Sequence, residues 1–363
     1  MLTKGDDYPI HQLPEPIATA GSDRNFYDRY FFNGYSLDDH AFLALALGVY
    51  PHLNIMDSSF TVISDGIQHN LRTSRHLGME RMDTTVGPIT VKVLEPLKKL
   101  QIIIDENDYG IHADLTFTAR AKALEEPRYT YRIGPRVIMD STRMTQNGCY
   151  SGWIRIKDKQ LDVSPEKWFG TRDRSWGVRP VGVQDPQPPA PAVLPQFYWL
   201  WAPVNFENCV TLFSVNEDAD GHAWHSNGLI APLGDAPPEF MDRVDARVRF
   251  KSGTRHAESA EITFLTPRDE TIVTTVKPLF HFYMSGIGYG HPEWGHGMNK
   301  GELATAYDFL ELSAVDESDP INLHIQAVSE FQMGEKTGRG VLEQLIIGPH
   351  APSGFKDILD MAS

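Results

Sequence analysis

The stretch Ile111-His112-Ala113-Asp114-Leu115-Thr116-Phe117-Thr118-Ala119 alternates apolar and polar side chains at every position. A period of two puts alternate residues on opposite faces of a β-strand, and no amphipathic helix shows it. A β-prone run at 100–104 and a turn over Asp105 to Gly110 precede it, so the unit reads as a hairpin. The same unit recurs along the chain. Phe60-Thr61-Val62-Ile63 turns at Asp65-Gly66 into Ile67-Gln68-His69-Asn70-Leu71, and Asp-Gly between β-prone runs is a strong hairpin signal. Further hairpins are expected over 150–163, 210–230, 257–276 and 304–331. The apolar run 41–50 fits a buried strand or a short helix, and periodicity does not decide between them. Helical character is confined to 353–361.

Such a chain is all-β, and sheets of this extent must close or stack to cover their edges. A chain of 363 residues exceeds one typical core. The run Gln184 to Pro195 holds Pro186, Pro188, Pro189, Pro191 and Pro195, which cannot enter a sheet interior. It therefore reads as a linker between two tandem antiparallel β-barrels or sandwiches. The expected organisation is an extended arm over 1–23, a first β domain over 24–183, the proline-rich crossover over 184–195, a second β domain over 196–350 and a tail with a short helix over 351–363.

Composition narrows the partners. The net charge of -15 opposes binding to phosphate backbones, so nucleic acid is not an expected partner. Two cysteines, Cys149 and Cys209, make no disulfide framework and no C-x-x-C site. No apolar run reaches spanning length, so no stable membrane insertion is expected. Met1 to Pro16 is polar and acidic without an apolar leader region, which points to a cytoplasmic protein. A homodimer is compatible with the composition and is not read from it.

The segment 168–180 concentrates chemistry. It carries Arg172, Arg174 and Arg179, the single carboxylate Asp173, and Trp168 and Trp176. Indoles are costly on a wet loop and guanidinium groups are costly in a dry strand, so the segment reads as a pocket wall. Asp173 is either a general acid or base in a partly dry pocket or a structural ion-pair corner, and the two readings weigh about evenly. On a strand, Arg172 and Arg174 share one face and Asp173 the other. A later segment, His291-Pro292-Glu293-Trp294-Gly295-His296-Gly297, offers acid/base groups at a glycine-rich mouth. The bland alternative there is a turn with satisfied histidines. A metal-dependent enzyme using this pair is a third and weaker reading, because the two histidines lack a third ligand at familiar spacing. Tyr198 is a candidate cavity wall, and Asp57 reads as a turn cap or an inward acid. There is no nucleophile elbow, P-loop or dinucleotide fingerprint, and no cofactor is expected.

The stretch 169–177 resembles the Asp-His-x-Trp-Gly segment of the carotenoid 1,2-hydratase (hydroxyneurosporene synthase) and AttH-like group of tandem lipocalin-like, or calycin, proteins. The whole chain is similar to an uncharacterised bacterial branch of that group. The features are Arg29 to Gly34, Val93 to Leu97 and Gly290 to Gly297. Arg174 stands where the carotenoid enzymes carry His, and arginine cannot serve as an acid near neutral pH. The resemblance implies a lipocalin-like fold and a cofactor-independent lyase, a hydratase or dehydratase, acting on a hydrophobic isoprenoid, steroid or aromatic substrate. In that reading Asp173 is the acid and His291 or His296 handles water. Arg172, Trp176, Arg179, Glu293, Trp294 and Tyr198 then bind substrate. The alternatives are a non-catalytic hydrophobic-ligand carrier and an isomerase or cyclase built from the same parts.

Overall fold

A computed structural model of the chain describes residues 3–10, 14, 16–19, 21–38, 40–185, 187 and 195–363. Most of the proline-rich run expected over 184–195 lies outside them. Among the described residues the strands form two curled antiparallel sheets, and helical turns are limited to short 3-10 segments. One such turn, Lys4–Asp7, lies in the segment expected to be an extended arm.

The first sheet opens with the meander β1 (Phe26–Ser36), β2 (Phe42–Tyr50), β3 (Ile55–Ser64) and β4 (Ile67–His76). The Asp65-Gly66 turn joins β3 to β4 with both residues at positive φ, 53° and 75°, as the Asp-Gly signal required. A second meander follows: β5 (Thr85–Val86), β6 (Ile89–Glu95), β7 (Lys99–Ile104) and β8 (Ile111–Ala119). Next come the short β9 (Leu124–Glu125), β10 (Tyr129–Ile133), the long β11 (Arg136–Ile156), β12 (Lys159–Val163) and β13 (Trp168–Val178). β13 inserts between β1 and β11 and so welds the two meanders together. The sheet curls until its ends approach, where Arg75 Nε donates to the Thr85 carbonyl at 2.7 Å.

The second sheet comprises β14 (Phe197–Asn205), β15 (Cys209–Glu217), β16 (Ala223–Pro232), β17 (Glu239–Phe240), β18 (Arg243–Phe250), β19 (Ala257–Leu265) and β20 (Thr271–Tyr283). β21 (Leu303–Glu311) leaves it and pairs with β4 in the first sheet. The chain then returns through β22 (Ile325–Met333) and β23 (Lys336–Ile347). The hairpin expected over 304–331 is therefore not formed, and β22 pairs instead with β20 and β23. The open edge of β4 offers unpaired ladder groups, and β21 covers it. The short helix expected over 353–361 is also absent beyond a 3-10 turn at Ala351–Ser353. The Asp360 carboxylate accepts the backbone N–H groups of Lys356 and Asp357 and pairs with Arg255 at 2.7 Å, which holds the tail in a non-helical course.

Alternation distributes the core into three layers. Ile111, Ala113, Leu115 and Phe117 point into the first barrel with Phe32, Leu43, Leu45 and Leu47. Tyr198, Leu200 and Ala202 point into the second. Phe31, Phe42, Ala44 and Ala46 meet Trp199, Trp201, Phe282 and Val328 in a layer between the sheets. β2 is buried at every position because both of its faces are covered, and this is why 41–50 shows no period. Phe42 and Phe282 pack at 4.9 Å between ring centroids, both fully buried. Phe42→Ala should cost about 3–5 kcal/mol of unfolding free energy, read as a lowered urea midpoint. A cost within experimental error would mean that the sheets do not depend on this layer.

Candidate active site

The layer between the sheets turns polar at one end and holds a partly open cavity of about 200 Å³. The first sheet contributes Tyr27 and Arg29 from β1, Arg143 from β11 and Asp173 from β13, followed by Arg179 just beyond that strand. The second contributes Trp199 from β14 and Glu343 from β23, with His324 immediately before β22. Tyr289, after a 3-10 turn at Met284–Ile287, also lines the cavity. Register explains the grouping. Asp173 lies opposite Phe31 on β1, and Ser175 lies opposite Arg29 and Arg143. Side chains of cross-strand partners share a face, so all of these point toward the second sheet.

Asp173 has no hydrogen bond or ion pair to any described residue, and its carboxyl faces the cavity. Burial raises its pKa from 3.8 to about 6, although the Arg143 and Arg29 charges pull the other way. Glu343 behaves oppositely in the same cavity. Burial disfavours its charge too, but it accepts from His324 Nε2 at 2.8 Å, Gln326 Nε2 at 2.8 Å and Trp199 Nε1 at 3.1 Å, and its pKa falls. Arg143 is neutralised by a bidentate pair with Glu126 at 2.8 and 2.6 Å. Arg29 makes no such pair. It donates through Nη1 to the Tyr289 hydroxyl, and its buried Nε and Nη2 lack partners.

Arg179 is held by the second motif. Its Nη2 lies 3.0 Å from His296 Nδ1, and His296 Nε2 lies 2.9 Å from the Ile287 carbonyl. A carbonyl only accepts and a guanidinium only donates, so His296 carries its proton on Nε2. Burial, followed by the Arg29 and Arg179 charges, pushes its pKa well below normal and keeps it neutral. Desolvation opposes the Arg179 charge, but charge interactions with the Tyr289, Tyr27 and Tyr50 oxygens and a hydrogen bond to Tyr289 raise its pKa on balance. The loop is anchored to β3, where Asp57 Oδ2 accepts the Gly297 N–H at 2.6 Å. Asp57 is thus an inward acid, with burial raising its pKa to about 6.

Of the residues expected from sequence, the structure brings Asp173 and Arg179 into one cavity, with His296 behind Arg179. The others lie elsewhere. His291 Nδ1 accepts the N–H groups of Glu293 and Trp294 at 3.1 and 3.0 Å, so it closes a turn. Glu293 is exposed, and Trp294 packs beside the loop with Lys300 over its ring at 5.1 Å. Arg172 and Trp176 fall on the opposite face of β13. Arg172 bonds Gln146 at 2.9 Å, with burial lowering its pKa to about 10, and Trp176 is 40% exposed. Arg174 shares that face and pairs with Asp28 at 2.7 Å. Tyr198 packs into the second barrel against His350, and its neighbour Trp199 takes the cavity wall instead. Sequence reasoning did not identify Arg29, Arg143, Trp199, Tyr289, His324 or Glu343. Strand parity offered a signal only for Arg29 and Trp199.

An all-β chain with two curled sheets and a polar cavity between them has an AttH-like fold. A solved structure from Nitrosomonas europaea, provisionally named an AttH protein (NE1406), matches it with TM-score 0.53 over 93% of this chain and 98% of that chain. Identity is 11%, so the likeness is one of fold. The chain belongs to a family of unknown function, DUF8625, whose model matches residues 2–356. No curated protein matches its sequence.

The raised pKa of Asp173 fixes a stability signature. The folded state binds this proton more tightly than the unfolded chain, so stability from the group is full below pH 3.8 and is lost as pH rises through about 6. The rise from 3.8 to about 6 corresponds to roughly 3 kcal/mol at neutral pH and above. Asp173→Asn should therefore be more stable than wild type by up to about 3 kcal/mol near pH 8 and show no such gain near pH 3.5. Urea unfolding at both pH values measures this, and a pH-independent difference would contradict an unpaired buried carboxyl.

Proposed function

We propose that the protein is a cofactor-independent hydro-lyase that adds or removes water across a double bond in a small, largely apolar substrate, with Asp173 as the proton-transfer group. The observation that carries this is a carboxyl that faces an aromatic-walled cavity without a protein hydrogen-bond partner, its pKa drawn to about 6. A general acid or base works best with a pKa near the operating pH. A cavity of about 200 Å³ fits a single-ring molecule or one end of a longer one, being below the usual range of ligand pockets.

The charges favour one variant of the chemistry. Arg29 and Arg179 carry no carboxylate partner within ion-pair distance among the described residues, and both line the cavity. Their fields disfavour a free carbocation and favour an oxyanion, so the double bond is best conjugated to a carbonyl. Tyr289 accepts from Arg29 and keeps its own O–H for that oxygen. In dehydration, Asp173 carboxylate takes the proton α to the carbonyl, and the electron pair moves onto the oxygen beside Tyr289. Collapse of that enolate forms the double bond and expels hydroxide, which leaves as water on protonation. His324 in its imidazolium form is the group for that second proton transfer: Glu343 holds its Nε2–H, Nδ1 gives its proton to the departing hydroxide, and the proton on Asp173 then restores it through solvent. Hydration runs the same steps backwards with Asp173 as the acid.

The test uses wild type and Asp173→Asn incubated with a small-molecule extract, with products found by mass spectrometry. Wild type should create pairs of compounds that differ by one water, and Asp173→Asn should lose at least roughly a hundredfold in that rate while ligand-induced quenching of tryptophan fluorescence persists. Dehydration by wild type should fall as pH drops through about 6, where the carboxylate base is protonated. Products of unchanged mass would indicate an isomerase, and binding without turnover a carrier; either result defeats the lyase reading.

A further inference from the structure

A second cluster of titratable side chains lies away from the cavity. His256 directly precedes β19, His281 lies on β20, and Glu317 lies on the crossover that brings the chain back from β21 to β22. One donor atom from each falls within 4.8 Å of the other two. His256 is fully buried, with Nε2 2.9 Å from the Asn322 carbonyl. That oxygen only accepts, so the proton sits on Nε2 and Nδ1 presents a lone pair. This Nδ1 is buried and has no hydrogen-bond partner. An imidazole steered by a backbone carbonyl, with its other nitrogen bare, is the arrangement of a metal-ligating histidine.

We propose that His256 Nδ1, His281 and Glu317 bind one divalent transition-metal ion of the zinc class, with water completing a tetrahedral shell. Two imidazoles and a carboxylate suit zinc better than magnesium or calcium, which take oxygen donors. The imidazole rings stand at 78° with centroids 5.0 Å apart, and His281 Nδ1 lies 3.3 Å from Glu317 Oε1. Zinc–ligand bonds of about 2.0–2.1 Å put tetrahedral donors roughly 3.3 Å apart. The shell therefore closes by small movements of His281 and Glu317. Lys251 Nζ, 2.6 Å from Glu317 Oε2, supplies positive charge that the ion would replace. The ion would act as a clasp rather than a reactive centre. It would pin the returning crossover to β19 and β20, and so tie the strand lent to the first sheet back to the second. The other carboxylate–histidine group, Asp218, Asp220 and His222, is exposed throughout and has no buried free donor.

The test uses the full chain without an affinity tag, stripped with a chelator and titrated with Co(II), then Zn(II). One equivalent of Co(II) should produce visible d–d absorption that Zn(II) abolishes, and Tm should rise by roughly 3–4 °C at a hundredfold excess over Kd. Glu317→Gln and His281→Ala should each weaken binding at least about tenfold. Lys251→Met should tighten it by removing the competing cation, and His222→Ala should leave it unchanged. Absence of both the absorption and the Tm rise in wild type and Lys251→Met would overturn the site, as would undiminished binding in His281→Ala and Glu317→Gln. These readouts do not depend on turnover.

Discussion

Gln326 spans the layer between the sheets. Its Oε1 accepts from Asn33 Nδ2 at 3.0 Å, and its Nε2 donates to Glu343 at 2.8 Å. Asn33 in turn accepts the Thr171 N–H at 2.8 Å, two residues before Asp173. All four are buried in a layer otherwise filled by Phe31, Phe42, Trp201 and Val328. A polar chain in such surroundings tolerates no slippage, because any shift leaves a donor or acceptor unpaired at roughly 1–3 kcal/mol each. It therefore fixes how the two sheets register, and with them whether Asp173 of one faces His324 and Glu343 of the other across a common space.

Local patterns made the strands legible. The alternation of 111–119 and the Asp65-Gly66 turn each required one conformation, and both are found. The failures were of long range. Nothing between 304 and 331 indicates that β21 crosses to β4, because the edge it covers belongs to a strand more than two hundred residues earlier. Less of the candidate site was legible, for the same reason. Asp173 and Arg179 lie in one short segment whose mixture of charge and indole is unusual. His324, just before β22, and Glu343, in β23, belong to ordinary-looking sequence and gain meaning only by facing β13. Tyr198 illustrates the parity problem: an error of one residue on a strand moves the prediction to the opposite face, and Trp199 is the residue in the cavity.

The glycine-flanked segment 290–297 explains its histidines without giving them chemistry. His291 closes a turn through Nδ1 and sets Nε2 3.9 Å from the Asp308 carboxylate, and His296 is locked between a guanidinium and a carbonyl, so both lie outside the lining of the cavity. Their role is positional. The Gly297 N–H to Asp57 bond and the His296 to Ile287 bond fix the loop, and the loop aims Arg179 at the cavity. Gly288, at φ 98°, adopts a conformation that favours glycine, and a Cβ there would lie 3.0 Å from the His296 ring. Gly288 thus serves close packing of a strut.

Two carboxylates in one cavity differ because their neighbours differ. Glu343 accepts three hydrogen bonds and stays ionised, whereas Asp173 receives none from the described residues and is pushed toward the neutral form. Partners for Asp173 were available in the chain, since it is flanked by Arg172 and Arg174. The strand sends both to the other face, where Gln146 and Asp28 engage them. A structural ion-pair corner would have placed a guanidinium against Asp173, and Arg143, whose charge acts on Asp173 more strongly than that of Arg29, is already committed to Glu126 through two bonds. An unpaired carboxyl costs stability at neutral pH, and the site keeps one beside a carboxylate that is fully satisfied. That separation of two like groups into one proton donor and one fixed charge is what acid/base chemistry requires of a pocket.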